Sequence, residues 1–228
     1  MYLLLIRHLE SSKNIRETFS SSSEDEPLTE IARTDLTSWS HLVCQWVHMT
    51  RATVAQVYST ASIRAEDTAA SIAKGLGVPV MCYQRLRSTH PGSLAGRSAD
   101  DARMSNPEFM EQLHLYRKGL FNSYDFTVAD SKEPKRSFEE RIASCLDEIL
   151  NVPAEELKIV VAHRAPITAV LMAVARSAYQ YPRDFFGYVE LTLGYASLLE
   201  RTLDGEWRIH EVNVPVHELP DLTIGKRM

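Results

Sequence analysis

Two kinds of hydrophobic pattern alternate along this chain of 228 residues. Short, wholly apolar runs predict strands buried on both faces, and longer runs with a helical period predict the helices that cover them. The predicted strands span residues 2–6, 55–59, 78–82 and 158–162, and alternating segments follow at 188–191, 196–201 and 207–211. Strands that alternate with helices predict an α/β three-layer sandwich, with a mostly parallel central sheet flanked by helices.

The predicted helices begin and end at residues that are typical of helix termini. They span residues 29–49, 62–76, 106–120, 137–150 and 166–178. Thr29 and Ser137 are candidate N-caps, Gly75 and Gly77 close the second helix, and Asp204-Gly205 marks a hairpin turn. Residues 9–27 and 84–101 are polar and are predicted to be loops, and residues 122–134 are predicted to be irregular. Without a linker or a repeat, we expect one domain over residues 1–228.

Basic side chains follow three of the predicted strands at their carboxyl ends. They are Arg7-His8, Arg64 and His163-Arg164. Because ligands of such sheets bind outside the carboxyl ends of the strands, we expect these residues to converge on one rim.

This set of residue types suits phosphoryl transfer. Arginine forks match phosphate oxygens, and a histidine with an ordinary pKa of about 6.5 is available as a neutral nucleophile at pH 7. Transfer mostly needs positioning and positive charge, so one histidine can attack while the other and the arginines hold the oxygens. No carboxylate cluster suits magnesium, so we expect no metal and no cofactor.

Three sequence blocks resemble the histidine phosphatase (phosphoglycerate mutase-like) superfamily. Arg7-His8-Leu9-Glu10 with Asn14 resembles its RHGE…N signature, residues 58–69 (YSTASIRAEDTA) resemble the block with the second arginine, and residues 160–167 (VVAHRAPI) resemble the block with the second histidine. Pro27-Leu28-Thr29 matches the P-L-T that opens the first helix. The resemblance covers about residues 1–213.

The resemblance implies a phosphoglycerate mutase-like fold in which about residues 84–136 form an inserted cap region that shapes the substrate pocket. It implies that His8 becomes phosphorylated, that Arg7, Arg64 and His163 form the phosphate pocket, and that Asn14 lines this pocket.

The chain departs from the family pattern at the residue that protonates the leaving oxygen. In the segment 86–96 (LRSTHPGSLAG), Ser88 stands where the family has a glutamate. His90 is the nearest titratable replacement, Asp100 and Asp101 are further candidates, and a good leaving group would need no acid.

Two family glycines are also replaced in this chain. Leu9 follows the first histidine and is expected to crowd that loop or to change its backbone angle. Arg164 follows the second histidine, where it either binds substrate or faces solvent.

The composition indicates which kinds of binding partner are not favoured. A net charge of -5 does not favour nucleic acid or an anionic membrane, and Cys44, Cys82 and Cys145 form no CxxC pair. The first apolar run ends in Arg-His and is too short for a signal segment, so we expect a cytoplasmic protein. The oligomeric state stays open, with a homodimer as one alternative.

The expected function is a metal-independent phosphatase that hydrolyses a small phosphorylated metabolite through phosphorylated His8. A mutase is less expected, because the region around Ser88 diverges from the L-N-E-R-H-Y-G form of the glycolytic mutases. The alternatives are an impaired member that only binds a phosphorylated ligand, or a pocket used for other chemistry. The sequence does not identify the substrate.

Overall fold

The computed structural model describes residues 1–16, 18–19, 26–126, 133–153, 156–179 and 187–222. Its strands are β1 (Tyr2–Arg7), β2 (Val57–Thr60), β3 (Val80–Tyr83), β4 (Leu157–Ala162), β5 (Ala196–Arg201) and β6 (Trp207–Val214). Its helices are α1 (Ser12–Arg16), α2 (Glu30–Thr50), α3 (Ile63–Leu76), α4 (Ala99–Ser105), α5 (Pro107–Arg117), α6 (Lys135–Leu150) and α7 (Arg164–Tyr179).

One mixed sheet contains all of these strands, in the order β3-β2-β4-β1-β5-β6. The strands β3, β2, β4 and β1 are mutually parallel, and β5 pairs antiparallel with both β1 and β6. Since β6 is antiparallel to β5, it runs in the same direction as β1. The predicted mostly parallel sheet is therefore confirmed.

Alternate residues of each central strand enter opposite layers of the core. Along β1, Leu3 and Leu5 pack with buried residues of α6 and α7, whereas Leu4 and Ile6 pack with buried residues of α2 and α3. Period-two alternation within an entirely apolar strand is the physical reason that both sheet faces are covered by helices. This arrangement is the predicted three-layer α/β sandwich.

Several predicted termini match the structure and others do not. Thr29 caps α2, since its hydroxyl accepts a hydrogen bond from the backbone N–H of Ala32 at 3.1 Å, and the turn at Asp204-Gly205 joins β5 to β6. Ser137 is not an N-cap, because α6 begins two residues earlier and follows Pro134. The predicted strand at 188–191 is also wrong, because these residues form no ladder.

The two predicted loops contain short helices that hydrophobic periodicity is unable to detect. The helix α1 has five residues and lies within the segment 9–27, and α4 begins inside the segment 84–101. Residues 20–25 of the first segment and 127–132 of the predicted irregular segment lie outside the described residues.

The region between β3 and α6 covers one end of the sheet with a small apolar cluster of its own. Leu94, Ala102 and Phe109 are buried there, and Phe19 and Phe126 pack against them. Backbone hydrogen bonds from Phe19 to Arg97 and from Gly96 to Phe19 join this region to the segment that follows β1. Among the described helices, none has the length and apolar character needed to cross a membrane.

Candidate active site

The register of two central strands places two histidines side by side. In the parallel pair β1 and β4, Arg7 lies opposite Ala162, so the next residues along each strand are His8 and His163. The backbone N–H of His8 donates to the carbonyl of Ala162 at 3.1 Å, and the two imidazole rings meet edge to face with centroids 5.0 Å apart. Both side chains are buried, with 3% and 7% of their surface exposed.

The first turn of α3 brings Arg64 to the same edge of the sheet. β2 pairs with β4, and the helix begins three residues after β2 ends, with Ser62 as the residue that precedes its first turn. The Ser62 hydroxyl makes no capping hydrogen bond and instead lies 3.3 Å from Nε2 of His163. The N-termini of α3 and α7 both begin at this edge, and helix N-termini favour anions.

Hydrogen bonds determine which nitrogen of His8 carries a proton. Nδ1 lies 2.6 Å from the backbone carbonyl of Leu9, and a carbonyl only accepts, so Nδ1 must be the protonated nitrogen. Nε2 therefore keeps its lone pair, and the Nε–H of Arg64 donates to it at 3.3 Å. The structure thus presents His8 Nε2 as the nitrogen available for attack on an electrophile.

Burial and neighbouring cations keep both histidines uncharged. Burial, followed by the charge of Arg64, lowers the pKa of His8 well below its ordinary value. Burial, followed by His8 and Arg64, lowers the pKa of His163 in the same direction. Both rings are consequently neutral at pH 7, which is the state that a nucleophilic imidazole requires.

Arg7 and Lys13 add two more cations beside the histidines. Burial, followed by Arg164, lowers the pKa of Arg7 to about 10, and burial, followed by Arg64, lowers the pKa of Lys13 to about 8. A guanidinium nitrogen of Arg7 donates to the carbonyl of Leu191, while its buried Nε meets no hydrogen-bond partner in the described part of the chain. A buried donor of this kind suits an anionic ligand.

The other predicted site residues divide into those that reach this pocket and one that does not. Asn14, Ser88 and Arg164 line the same cavity as His8. Asn14 is oriented by Ser11, whose N–H and hydroxyl donate to Oδ1 of Asn14 at 3.0 and 2.7 Å. Arg164 does not simply face solvent, because its guanidinium stacks over the ring of Tyr188 at 5.2 Å and donates to the Tyr188 hydroxyl at 3.1 Å.

His90 is not brought to the cavity. Its side chain is exposed, and its Nδ1 accepts a hydrogen bond from the backbone N–H of Gly92 at 3.1 Å. It does not belong to the cavity lining, so the geometry gives no support to the predicted acid role. Asp100 and Asp101 are also exposed and interact with Arg103 and Ser98 on or beside α4.

Leu9 replaces the family glycine without a left-handed backbone. Its backbone is not among the residues with positive φ. Its side chain occupies the space beside Gly194, where a Cβ on Gly194 would lie 2.7 Å from Cδ2 of Leu9 and 3.2 Å from Nε1 of Trp39. The glycine therefore makes room for the leucine.

The cavity has a volume of about 540 Å³ and two chemically different walls. Arg7, His8, Lys13, Arg64 and His163 form the cationic wall at the sheet edge. A second part of the lining is mostly aromatic and is called the aromatic wall; it consists of Phe19, Phe109, Met110, Leu113, Tyr116 and Phe126.

Among the lining residues that the sequence analysis did not predict as site residues are three with polar or charged side chains beside the predicted set. Lys13 and Tyr188 line the cavity, as does Glu133, the one Asp or Glu in the described part of the lining. Glu133 accepts hydrogen bonds from Nε and a terminal nitrogen of Arg141 at 2.8 and 2.6 Å. No group of three His, Cys, Asp or Glu side chains within the described ranges lies close enough to hold a metal ion.

Comparisons with known proteins agree with this arrangement. The family profile of the histidine phosphatase superfamily (branch 1) matches residues 3–215. A Yersinia pestis protein named "Probable phosphoglycerate mutase GpmB" is 28% identical over 171 residues, which cover 75% of this chain and 73% of that protein.

Two solved structures share the fold. The mycobacterial glucosyl-3-phosphoglycerate phosphatase superposes with a TM-score of 0.75 and 18% identity, over 93% of this chain and 98% of the other. The alpha-ribazole phosphatase from Shigella flexneri gives a TM-score of 0.70 and 16% identity, over 94% of this chain and 96% of the other. At these identities the likeness establishes the phosphoglycerate mutase-like architecture.

Proposed function

We propose that this chain, which belongs to the histidine phosphatase superfamily (branch 1), hydrolyses phosphate monoesters of small metabolites through a phosphohistidine on His8. The observation that carries the proposal is the hydrogen bond from His8 Nδ1 to the carbonyl of Leu9. It leaves Nε2 with a lone pair inside a buried cluster of cations.

The first step transfers the phosphoryl group from the ester to the protein. Nε2 of His8 attacks phosphorus, the P–N bond forms, and the bond from phosphorus to the ester oxygen breaks. The leaving oxygen keeps the electron pair and takes a proton from a water molecule in the cavity. Arg7, Arg64 and Lys13 face the three equatorial oxygens, whose negative charge they stabilise, and no metal ion is needed for that purpose.

The second step restores the free histidine. Water attacks phosphorus, the P–N bond breaks, and its electron pair returns to Nε2 of His8 while the proton of the water passes to the pocket or to solvent. The products are inorganic phosphate and the resting protein. Neutral His163, 3.3 Å from the Ser62 hydroxyl, is positioned to hold a phosphoryl oxygen in both steps.

Hydrolysis is favoured over mutase activity by the region that surrounds Ser88. A mutase must protonate the oxygen of one substrate molecule and accept a proton from the next, whereas Ser88 is a poor proton donor at neutral pH. The names of similar proteins include both activities, a mutase in Yersinia pestis and phosphatases among the solved structures. A mutase would exchange phosphoryl groups between substrate and product and release little phosphate.

Ser88 also favours a second candidate function, a protein that binds a phosphorylated ligand without turning it over. The remaining carboxylate of the described lining, Glu133, is held by Arg141. In such a binding protein, Ser88→Glu would restore a carboxyl group and switch on turnover of esters with poor leaving groups. In a working phosphatase, the unmodified chain already releases phosphate.

The test is a screen for phosphate release over monoesters of sugars, glycerate, nucleosides and aryl alcohols, with ³²P-labelled substrate quenched in alkali to retain phosphohistidine. We expect phosphate release and a labelled histidine, and we expect His8→Gln to lower turnover at least roughly 10³-fold while the protein stays folded. Label or turnover that survives in His8→Gln would exclude the proposed nucleophile.

His90→Ala is the matched control, because this histidine lies outside the cavity. We expect it to keep the activity of the unmodified chain on all esters. A larger loss for alkyl esters than for p-nitrophenyl phosphate would instead show that His90 is the acid.

A further inference from the structure

We infer that the substrate is an amphipathic phosphate monoester, whose phosphate binds the cationic wall while an apolar group of about the size of an aromatic ring packs on the aromatic wall. This inference rests on the proposed phosphatase function and adds to it a class of substrate. Its basis is that the two walls belong to one cavity.

The aromatic wall is built from rings that contact one another and leave part of their surface towards the cavity. The ring of Phe126 meets the edges of Phe109 and Tyr116, with centroid distances of 5.6 and 5.3 Å and interplanar angles of 70° and 79°. Phe19 extends the series, with its ring 6.4 Å from that of Phe109. Phe126, Tyr116 and Phe19 are only half-buried although they line a cavity. Covering this apolar surface with an apolar group is favourable.

The volume of the cavity leaves room for a substrate much larger than its phosphate. About 540 Å³ lies within the range of roughly 300–1,000 Å³ that is usual for sites of organic ligands. A phosphate group bound by His8, Arg7 and Arg64 would occupy a small part of that space. The remaining space is lined in part by the aromatic wall, and packing of the carbon skeleton against this wall is the arrangement that the inference assigns.

A second anionic group is the rival for this space, because other cations also line the cavity. Arg103 is exposed and pairs with Asp100 at 2.8 Å, and Arg117 is exposed. Lys135 lies over the ring of Phe138 at 4.9 Å. Two of these cations are exposed to solvent and the third is engaged by a ring, whereas the rings of Phe19, Tyr116 and Phe126 are half-buried. The observations favour the apolar group.

Arg164 and Tyr188 mark the boundary between the two walls. Arg164 lowers the pKa of Arg7 on the cationic side, and its guanidinium stacks on Tyr188. The Tyr188 ring in turn meets the edge of Tyr116 at 5.5 Å, on the aromatic side. A substrate that spans this boundary would have its ester oxygen near Arg164 and its apolar group beyond it.

The experiment measures binding to the resting protein by calorimetry with three phosphonates that resist hydrolysis. Methylphosphonate supplies the anion alone, benzylphosphonate adds an apolar ring, and 2-carboxyethylphosphonate adds a second anion. We expect benzylphosphonate to bind roughly 10- to 100-fold tighter than methylphosphonate, through the apolar area that it buries. Equal affinities, or tightest binding of the carboxyethyl compound, would overturn the inference.

Two variants of similar shape make the test specific to the wall. Phe126→Gln places a polar side chain in the cavity, whereas Phe121→Gln changes a ring that stacks on Phe126 with a 12° interplanar angle but does not line the cavity. We expect Phe126→Gln to remove most of the advantage of benzylphosphonate without changing the binding of methylphosphonate, and Phe121→Gln to keep the advantage. An advantage that persists in Phe126→Gln would overturn the assignment.

The binding test and the turnover test fail independently. If the phosphonates bind as expected while no ester is hydrolysed, the proposed phosphatase function fails and the ligand class stands. If esters are hydrolysed without any preference for an apolar group, the inference fails and the phosphatase function stands.

Discussion

The cationic wall and the aromatic wall line one cavity, but different parts of the structure hold them. His8, Arg64 and His163 are fixed by the register of buried strands and by the first turns of helices that pack on the sheet. Phe109 and Phe126 belong to the region between β3 and α6, where a small cluster of side chains holds them.

This difference in support suggests a difference in role. The backbone of the sheet can hold the reacting atoms in place for any substrate, as phosphoryl transfer requires. Side chains that pack mainly on one another can be exchanged without disturbing the sheet, so the opposite wall is suited to selecting the substrate. Changes to the cationic wall should therefore affect all esters alike, and changes to the aromatic wall should affect only some.

Among the changes that test this division of roles, the largest effect is expected from removing one cation of the cationic wall. Arg64→Gln removes the guanidinium that lies against His8 Nε2 and stabilises the transferred group, so kcat/KM should fall roughly 10²- to 10³-fold. Steady-state kinetics on an alkyl ester and an aryl ester should give the same factor for both. A loss confined to one ester would contradict the division of roles.

Arg103→Gln is the control for this prediction, because Arg103 lies at the rim of the cavity and is exposed. We expect a change of no more than about threefold, as is usual for a solvent-screened surface charge.

A smaller effect is expected in the pH dependence of kcat/KM, which the charge of Lys13 in the cationic wall should influence. Lys13, with a pKa of about 8, is protonated at pH 7 and loses its charge above pH 8, so kcat/KM should fall about tenfold between pH 7 and pH 9. The lowered pKa of His8 keeps this ring neutral through the same range, so it adds no loss there.

Lys13→Arg should move this alkaline limb to higher pH, because a guanidinium stays protonated. The matched control is Lys74→Arg, an exposed lysine in the last turn of α3, for which the limb should not move. An unchanged limb in Lys13→Arg would assign the titration to another group.

The smallest effect is expected on stability, from a change next to the cationic wall where Leu9 packs beside Gly194. Gly194→Ala places a Cβ 2.7 Å from Leu9 at a residue with a φ of 75°, and both the clash and the backbone strain should lower the free energy of unfolding, by about 1–3 kcal/mol together. Urea denaturation measures this loss.

The double variant with Leu9→Ala separates the two causes. It should recover the part due to the clash and keep the part due to the positive φ. The same loss from Gly194→Ala in both backgrounds would mean that Leu9 contributes nothing to it.

Sequence reasoning predicted the location of the residues that lie at the carboxyl ends of the strands. His8 and His163 directly follow β1 and β4, Arg64 lies in the first turn of the helix after β2, and parallel strands place such residues on a common edge. The same reasoning did not find Lys13, because it lies on a five-residue helix that shows no periodicity and its burial depends on tertiary contacts.

The region around Ser88 shows the opposite outcome. One residue separates Ser88 from His90 in sequence, but a hydrogen bond with Gly92 holds the histidine ring away from the cavity. Glu133 is 45 positions from Ser88 in sequence (133 − 88) and reaches the cavity lining, where Arg141 holds it and also donates to the carbonyl of Arg87. Only the folded structure shows that these two segments, which are distant in sequence, lie close together.

The buried Nε of Arg7, which has no partner among the residues described, has a consequence for the regulation of turnover. If the chain hydrolyses phosphate esters as proposed, this pocket also binds inorganic phosphate, the product of that reaction. Product that accumulates should therefore compete with substrate and slow the protein down. In a chain whose net charge is -5, this concentrated positive charge would make the protein a sensor of the phosphate around it.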